Sequence, residues 1–173
     1  LCDDYRRGMG TVNIAKKYNI SRSYAYEILK KNNIGMRSNI EANRLRRKYT
    51  CDEEYFSNID SENKSYWLGF LYGDGHVCKY GLQINLKYID IPHLYCFKRD
   101  INSTSPVLPK ISKYSNGKYK SLEGLLEIHS TNLAHNLEKI GMPLGKKFNI
   151  IDYPFNIIPA KFCWHFIRGL FRR

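Results

Sequence analysis

The 173-residue sequence predicts an α+β fold: a small helical unit, then a unit of order α-β-β-α-β-β-α, and at its end the start of another apolar helix. Three observations predict it. The first forty residues are punctuated by helix caps and breakers at short intervals. Residues 66–72, YWLGFLY, are apolar throughout and run into Gly-Asp-Gly. Beyond Gly75 the apolar period changes from 3.6 to 2, the change that separates helix from strand.

Composition limits the function classes. A hydrophobic content of 43% is enough for a core. No apolar run approaches the roughly 20 residues of a membrane span, and no charged start, apolar stretch and cleavage site form a signal peptide. The expectation is a soluble, cytoplasmic protein with no membrane partner. Five scattered cysteines, without a C-x-x-C pair, form neither a disulfide framework nor a zinc site. His76 and His93 each follow an aspartate closely but lack a third ligand, so a packing or surface role is expected. The formal charge of +12 favours a polyanionic partner, nucleic acid first, because clustered Lys and Arg release condensed counterions on binding. The first residue is Leu1 rather than methionine, and the expectation is that the chain is cut there.

In YRRGMGTVNIAKKYNISRSYAYEILKKNNIGMRS a first helix is expected to stop at Gly8. Thr11 is expected to cap a second helix, with Ile14 and Ala15 inward, and Ser21 a third, with Ala25, Ile28 and Leu29 at i, i+3 and i+4. Two helices joined by a short turn, the second polar and Ser-capped, form a helix-turn-helix. In such a unit the exposed start of the second helix reaches base edges. Arg22, Ser23, Tyr24 and Tyr26 are therefore candidate DNA contacts, with Lys30 and Lys31 suited to phosphates. The stretch resembles the helix-turn-helix modules of resolvases and transposases. Residues 39–59 read as a basic linker with some helix, whose Arg44, Arg46, Arg47 and Lys48 suit a DNA backbone.

Asp60 or Ser61 is expected to cap the apolar helix and Gly75 to end it. Gly69 and Gly73 lie four apart on one face, each costing up to about 1 kcal/mol relative to alanine, and small residues at that spacing let another backbone approach. Asp74 stands at the negative end of the helix dipole, where a carboxylate is disfavoured by roughly a few tenths of a kcal/mol. A hard divalent cation such as Mg²⁺ would reverse that sign, with helix-end carbonyls as further oxygen ligands. A plain Asp-Gly turn leaving a core helix is the competing reading.

Trp67-Leu68-Gly69-Phe70-Leu71-Tyr72-Gly73-Asp74-Gly75 resembles the LAGLIDADG motif of homing endonucleases, with the glycine third, the acid eighth and the closing glycine ninth. Tyr72 at the sixth letter departs from the common pattern. The preceding YFSNIDSENKSY is similar to members that carry an N-terminal helix-turn-helix. The resemblance implies two such helices side by side at a twofold or pseudo-twofold axis, each supplying its acid to metal sites at the scissile phosphates. It gives Asp74 as catalytic metal ligand, helped by the Gly73 carbonyl, and Mg²⁺ as cofactor. It also implies a mixed or antiparallel saddle sheet lying in the DNA major groove.

After Gly75, His76 to Tyr80 should form a hairpin with LQINLK, where Leu82, Ile84 and Leu86 alternate with Gln83, Asn85 and Lys87. DIPHLYCFKRDI reads as a helix burying Leu94, Phe97 and Ile101. Val107 to Tyr114 and Leu122 to His129 read as strands, and STNLAHNLEKIG as a capped helix ending at Gly141. On the implied saddle, Gln83, Asn85 and Lys87 become base readers and Lys110, Lys113, Lys118 and Lys120 phosphate contacts. GMPLGKKF resembles the segment that places a lysine near the family's active site, and Lys147 is the better match, beside Lys146.

FIRGLFRR aligns with the motif helix at an offset of 100, Gly169 against Gly69, with Arg172 and Arg173 at the sixth and seventh letters. The expectation is the opening of a second motif helix, one residue short of its acid. The domain reading is therefore 1–38 helix-turn-helix, 39–59 linker, 60–150 half-domain and 151–173 linker plus second motif. The implied activity is metal-dependent, site-specific hydrolysis of double-stranded DNA, with a second LAGLIDADG half or partner chain needed to cleave. A DNA-binding transcriptional regulator and an RNA maturase are the rival readings.

Overall fold

A computed structural model describes residues 1–114, 119–145 and 152–172. These form two compact units, 1–48 and 49–173, dividing within the segment 39–59.

The first unit contains α1 (Cys2–Arg6), α2 (Thr11–Tyr18), α3 (Arg22–Lys31) and α4 (Asn39–Arg46). Its small core is Tyr5, Ile14, Ala25 and Leu29. Gly8 follows α1 with φ +107°, a conformation that glycine adopts without a Cβ clash. Thr11 is the first residue of α2 and not its cap; Gly10 holds that place, and no side chain caps the helix. The turn into α3 uses a left-handed asparagine, Asn19 (φ 51°), and the Ile20 N–H returns to the Ala15 carbonyl (3.0 Å). Ser21 caps α3 as expected, accepting from the Tyr24 N–H (3.0 Å). The helical part of the basic segment, α4, begins with a capping box in which Ser38 and Glu41 satisfy each other's backbone N–H groups.

The second unit contains α5 (Glu62–Asp74), β1 (Gly75–Cys78), β2 (Gly81–Lys87), α6 (Ile91–Asp100), β3 (Val107–Tyr114), β4 (Tyr119–Ile128), α7 (Thr131–Lys139) and α8 (Cys163–Leu170). The sheet is antiparallel throughout, in the order β1-β2-β4-β3. One face, with Leu82, Ile84, Leu86, Leu126 and Ile128, meets Leu94, Phe97 and Ile101 of the α6 region and Leu133 and Leu137 of α7 in the core. Gly124 in β4 is required there, since a Cβ would lie 2.6 Å from Ile91 Cγ1.

Residues 49–59 are anchored in this unit. Tyr55, Phe56 and Ile59 are core residues, the Ser130 hydroxyl donates to Glu53 (2.8 Å), and Asn132 and Asn136 donate to Glu54 (2.8 and 3.1 Å). The described helices include none long and apolar enough to cross a membrane.

Candidate nucleic-acid interface and its carboxylate

Helix α5 is buried over almost its whole circumference, which accounts for its continuous apolar run. Ser61 caps it by accepting from the Lys64 N–H (3.3 Å). Ser65, Trp67, Leu68, Gly69, Phe70, Leu71 and Tyr72 are all buried, and the Ser65 hydroxyl donates to the Phe162 carbonyl (2.8 Å). Its partner is α8.

The two helices cross through reciprocal glycines. A Cβ on Gly69 would fall 1.9 Å from the Phe166 carbonyl oxygen and 3.0 Å from the Leu170 nitrogen. A Cβ on Gly169 would fall 2.0 Å from the Tyr66 carbonyl oxygen and 2.9 Å from the Phe70 nitrogen. Adding 100 to the residue numbers converts one set of contacts into the other, so the crossing is locally pseudo-twofold. Gly73 is less tightly enclosed, its Cβ position lying 3.3 Å from the Leu170 carbonyl oxygen. The symmetry ends at the outer faces. Trp67 and Leu71 on α5 are buried, whereas their counterparts on α8 are the half-buried Ile167 and Phe171, which is 73% exposed.

Asp74 is the last residue of α5 and is exposed, and the last turn holds no Lys or Arg to offset the helix dipole. The chain passes straight into β1, where Gly75 pairs with Ile84, the residue before Asn85. The result is a groove of about 880 Å³ lined by Asp74, Asn85, Lys87, Asp90, Lys110, Ser112, Lys113 and Glu123, among others. Five residues chosen from the sequence therefore border one concavity: Asp74, Asn85, Lys87, Lys110 and Lys113.

The strand register orders them further. Lys87, Glu123 and Lys110 form a row across β2, β4 and β3 on the face away from the core, with Asn85 one step along. Glu123 is 7% exposed and accepts a hydrogen bond from Ser112 Oγ (2.5 Å). It sets a buried negative charge between two lysines, where opposite charges across strands attract. Gln83 lies on the same face but outside the groove lining. Lys113 stands three residues from Lys110, so strand alternation turns it to the other face, opposite Lys120 and near the exposed Ile111 and Leu122. It reaches the rim rather than the row of Lys87, Glu123 and Lys110. Lys118, Lys146 and Lys147 lie outside the described residues.

In the first unit, Arg22, Ser23, Tyr24 and Tyr26 are all exposed along the start of α3, while Ala25 and Leu29 are buried.

Metal ligation by side chains alone has no support: among the described residues no three His, Cys, Asp or Glu are grouped closely enough to hold an ion. Asp74 offers one exposed carboxylate at a helix end. That donor set suits Mg²⁺, which keeps several waters and commonly uses one or two carboxylates plus substrate phosphate oxygens.

His93 has the packing role expected of it. Its ring lies 4.7 Å from that of Trp67 and 4.9 Å from that of Phe70, and Nε2 is 3.2 Å from the Tyr66 hydroxyl. Burial lowers its pKa to about 4; Arg172 adds to the shift and Asp90 opposes it. Arg172 pairs with Asp90 (3.2 Å), fixing the end of α8 beside a residue of the groove.

Compared with known proteins, the chain matches no family model and no curated protein.

Sequence reasoning missed Glu123, Asp90 and Ser112. Glu123 shares one face of its strand with Leu125 and Glu127, but its place between Lys87 and Lys110 depends on pairings distant in sequence.

Proposed function

We propose that this chain is a DNA-binding half of a LAGLIDADG-type endonuclease that hydrolyses phosphodiesters in double-stranded DNA with a divalent metal. The observation that carries the reading is that Asp74 shares one groove with Asn85, Lys87 and Lys110. An acid bordering a polar sheet face that carries lysines is what phosphodiester hydrolysis at a read sequence requires.

Asn85 and Lys87 read base edges in the major groove, the amide suited to adenine and the ammonium to guanine. Lys110 holds a backbone phosphate at the groove wall. Glu123, placed between Lys87 and Lys110 by the strand register, would steady both lysines before DNA arrives, which would reduce the ordering cost of binding. The Asp74 carboxylate and the Gly73 carbonyl would hold Mg²⁺, and the cation would supply Lewis acidity toward the phosphate oxygens. Lys147 is assigned by resemblance alone to stabilising charge on the phosphoryl group. The helix-turn-helix adds contacts through Arg22, Ser23, Tyr24 and Tyr26, raising affinity by linkage of two modules.

The reciprocal glycine crossing supports a two-half assembly. On α5 the outer apolar residue Trp67 packs against His93 and Phe97 of α6. The equivalent face of α8, with Ile167 and Phe171, fits a second body of the same kind, from a further LAGLIDADG half or a partner chain. That half would supply the second acid.

The test uses the protein, a randomised duplex library and Mg²⁺, with Asp74→Asn alongside. Site-specific cutting by the parent and binding without cutting by the variant is the expected pattern. Binding without cutting by the parent would favour a transcriptional regulator. Preference for structured intron RNA over duplex would favour a maturase.

A further inference from the structure

The first unit holds a large share of the chain's positive charge. Residues 1–48 contain twelve Lys and Arg against four Asp and Glu, a net +8 of the +12 total. Only some of these residues belong to α3. Another group converges on a cleft of about 440 Å³ between α1 and α4, lined by Arg6, Arg7, Gly8, Arg37, Glu41, Arg44 and the exposed Leu45.

Three features make this cleft more than a solvated charged surface. First, its one acid is already engaged: the Glu41 carboxylate accepts from the Ser38 N–H (2.8 Å) and hydroxyl (3.1 Å), closing the start of α4. Second, Arg37 is held rigidly. Its guanidinium lies 4.0 Å over the Tyr5 ring, one N–H donates to the Met9 carbonyl (3.2 Å), and its own backbone N–H donates to the Tyr5 hydroxyl (2.9 Å). A guanidinium fixed in place loses little entropy on binding an anion. Third, the cleft is continuous with a second hollow of about 740 Å³ that shares Gly8, Arg37 and Leu45 and extends to Arg22, Asn39 and Asn43. A basic track thus runs from Arg7 and Arg44, past Arg37, to the first residue of α3.

We propose that the α1–α4 cleft is a second DNA contact of this unit, sequence-independent, that grips the sugar-phosphate backbone beside the segment read by α3. Arg7 and Arg44 are its exposed phosphate ligands and Arg37 its fixed centre. Phosphate suits the site because planar N–H forks bind its oxygens bidentately. A continuous track suits a strand better than a single small anion. The inference rests on the DNA-binding reading of the first unit and adds a site to it.

The test is a binding titration of the full chain with a short random-sequence duplex at several salt concentrations. The variants are Arg7→Gln/Arg44→Gln, Arg7→Lys/Arg44→Lys and Arg22→Gln. Each phosphate contact contributes about 0.9 to the slope of log affinity against log salt. The glutamine pair should therefore make the slope shallower by about 1.8, weakening all duplexes alike, while the lysine pair keeps most of it. Arg22→Gln should change preference among duplex sequences. An unchanged slope in the glutamine pair, with the parent binding duplex, overturns the cleft contact alone. Equal losses in the lysine and glutamine pairs also overturn it, because charge would then not be the cause. Failure of the parent to bind duplex at any salt overturns the DNA reading and the cleft together.

Discussion

His93 illustrates how one residue's surroundings set a property of the whole. Its neutral ring packs among Trp67, Phe70 and Tyr66, and its pKa stands at about 4 against the usual 6.5. Between those values the unfolded chain binds a proton that the folded chain does not. Stability therefore rises with pH across the interval and is lost as pH falls from about 6.5 toward 4. A thermal midpoint that drops over that range in the parent, and less steeply in His93→Phe, is the expected result. At Lys87 the prediction concerns recognition. Lys87→Ala should cost about 1 to 3 kcal/mol on a preferred duplex and relax choice at one base, whereas Lys113→Ala should weaken all duplexes equally. Competition titrations with single-base variants of the duplex separate the two. The residues of this site were unevenly legible. Asp74 stood out because a carboxylate at a helix C-terminus opposes the dipole, and Asn85 and Lys87 because alternation sends them to the polar face. Glu123 looked like any charged residue in a strand, since only the register of β2, β4 and β3 brings it between two lysines.

At the level of elements, the crossing of α5 and α8 makes a sharp prediction. Replacing glycine by alanine in a helix gains up to about 1 kcal/mol in propensity. At Gly69 and Gly169 the new Cβ would lie 1.9 and 2.0 Å from a facing carbonyl oxygen, so the helices must separate. Overpacking of this kind costs about 1 to 3 kcal/mol or more, and it outweighs the propensity gain. Gly73→Ala meets only a 3.3 Å contact, where gain and cost nearly cancel. Denaturant titrations should show Gly69→Ala and Gly169→Ala clearly destabilised and Gly73→Ala close to the parent. This crossing was readable from the sequence because two apolar helices repeat one glycine-centred pattern. The strand pairs were readable as strands, from their period of two, but the order β1-β2-β4-β3 was not, because pairing between distant strands leaves no local signal. Thr11 was misjudged as a cap because Gly10, which offers no side chain to recognise, occupies that place.

For the molecule as a whole, the two units contribute unequally to the proposed DNA binding. The first carries most of the net charge and exposes α3; the second carries the carboxylate and the sheet. Their division near residue 48 was obscured in sequence by the irregular segment 49–59, which buries Tyr55, Phe56 and Ile59 without helical or strand periodicity. Its anchoring hydrogen bonds from Ser130, Asn132 and Asn136 come from far along the chain. With this charge distribution, binding of any duplex should fall steeply with salt, and base choice should survive where affinity does not. The central claim is that Asp74 is the acid of a metal-dependent cut in a read duplex. The direct measurement selects the preferred duplex from a randomised pool, then follows its cleavage with and without Mg²⁺ by the parent protein and by Asp74→Asn. The account predicts cutting at one position, only with the divalent cation, and an Asp74→Asn protein that binds the same duplex and leaves it whole. Cutting by Asp74→Asn at the parent's rate, or by the parent without a divalent cation, would contradict it.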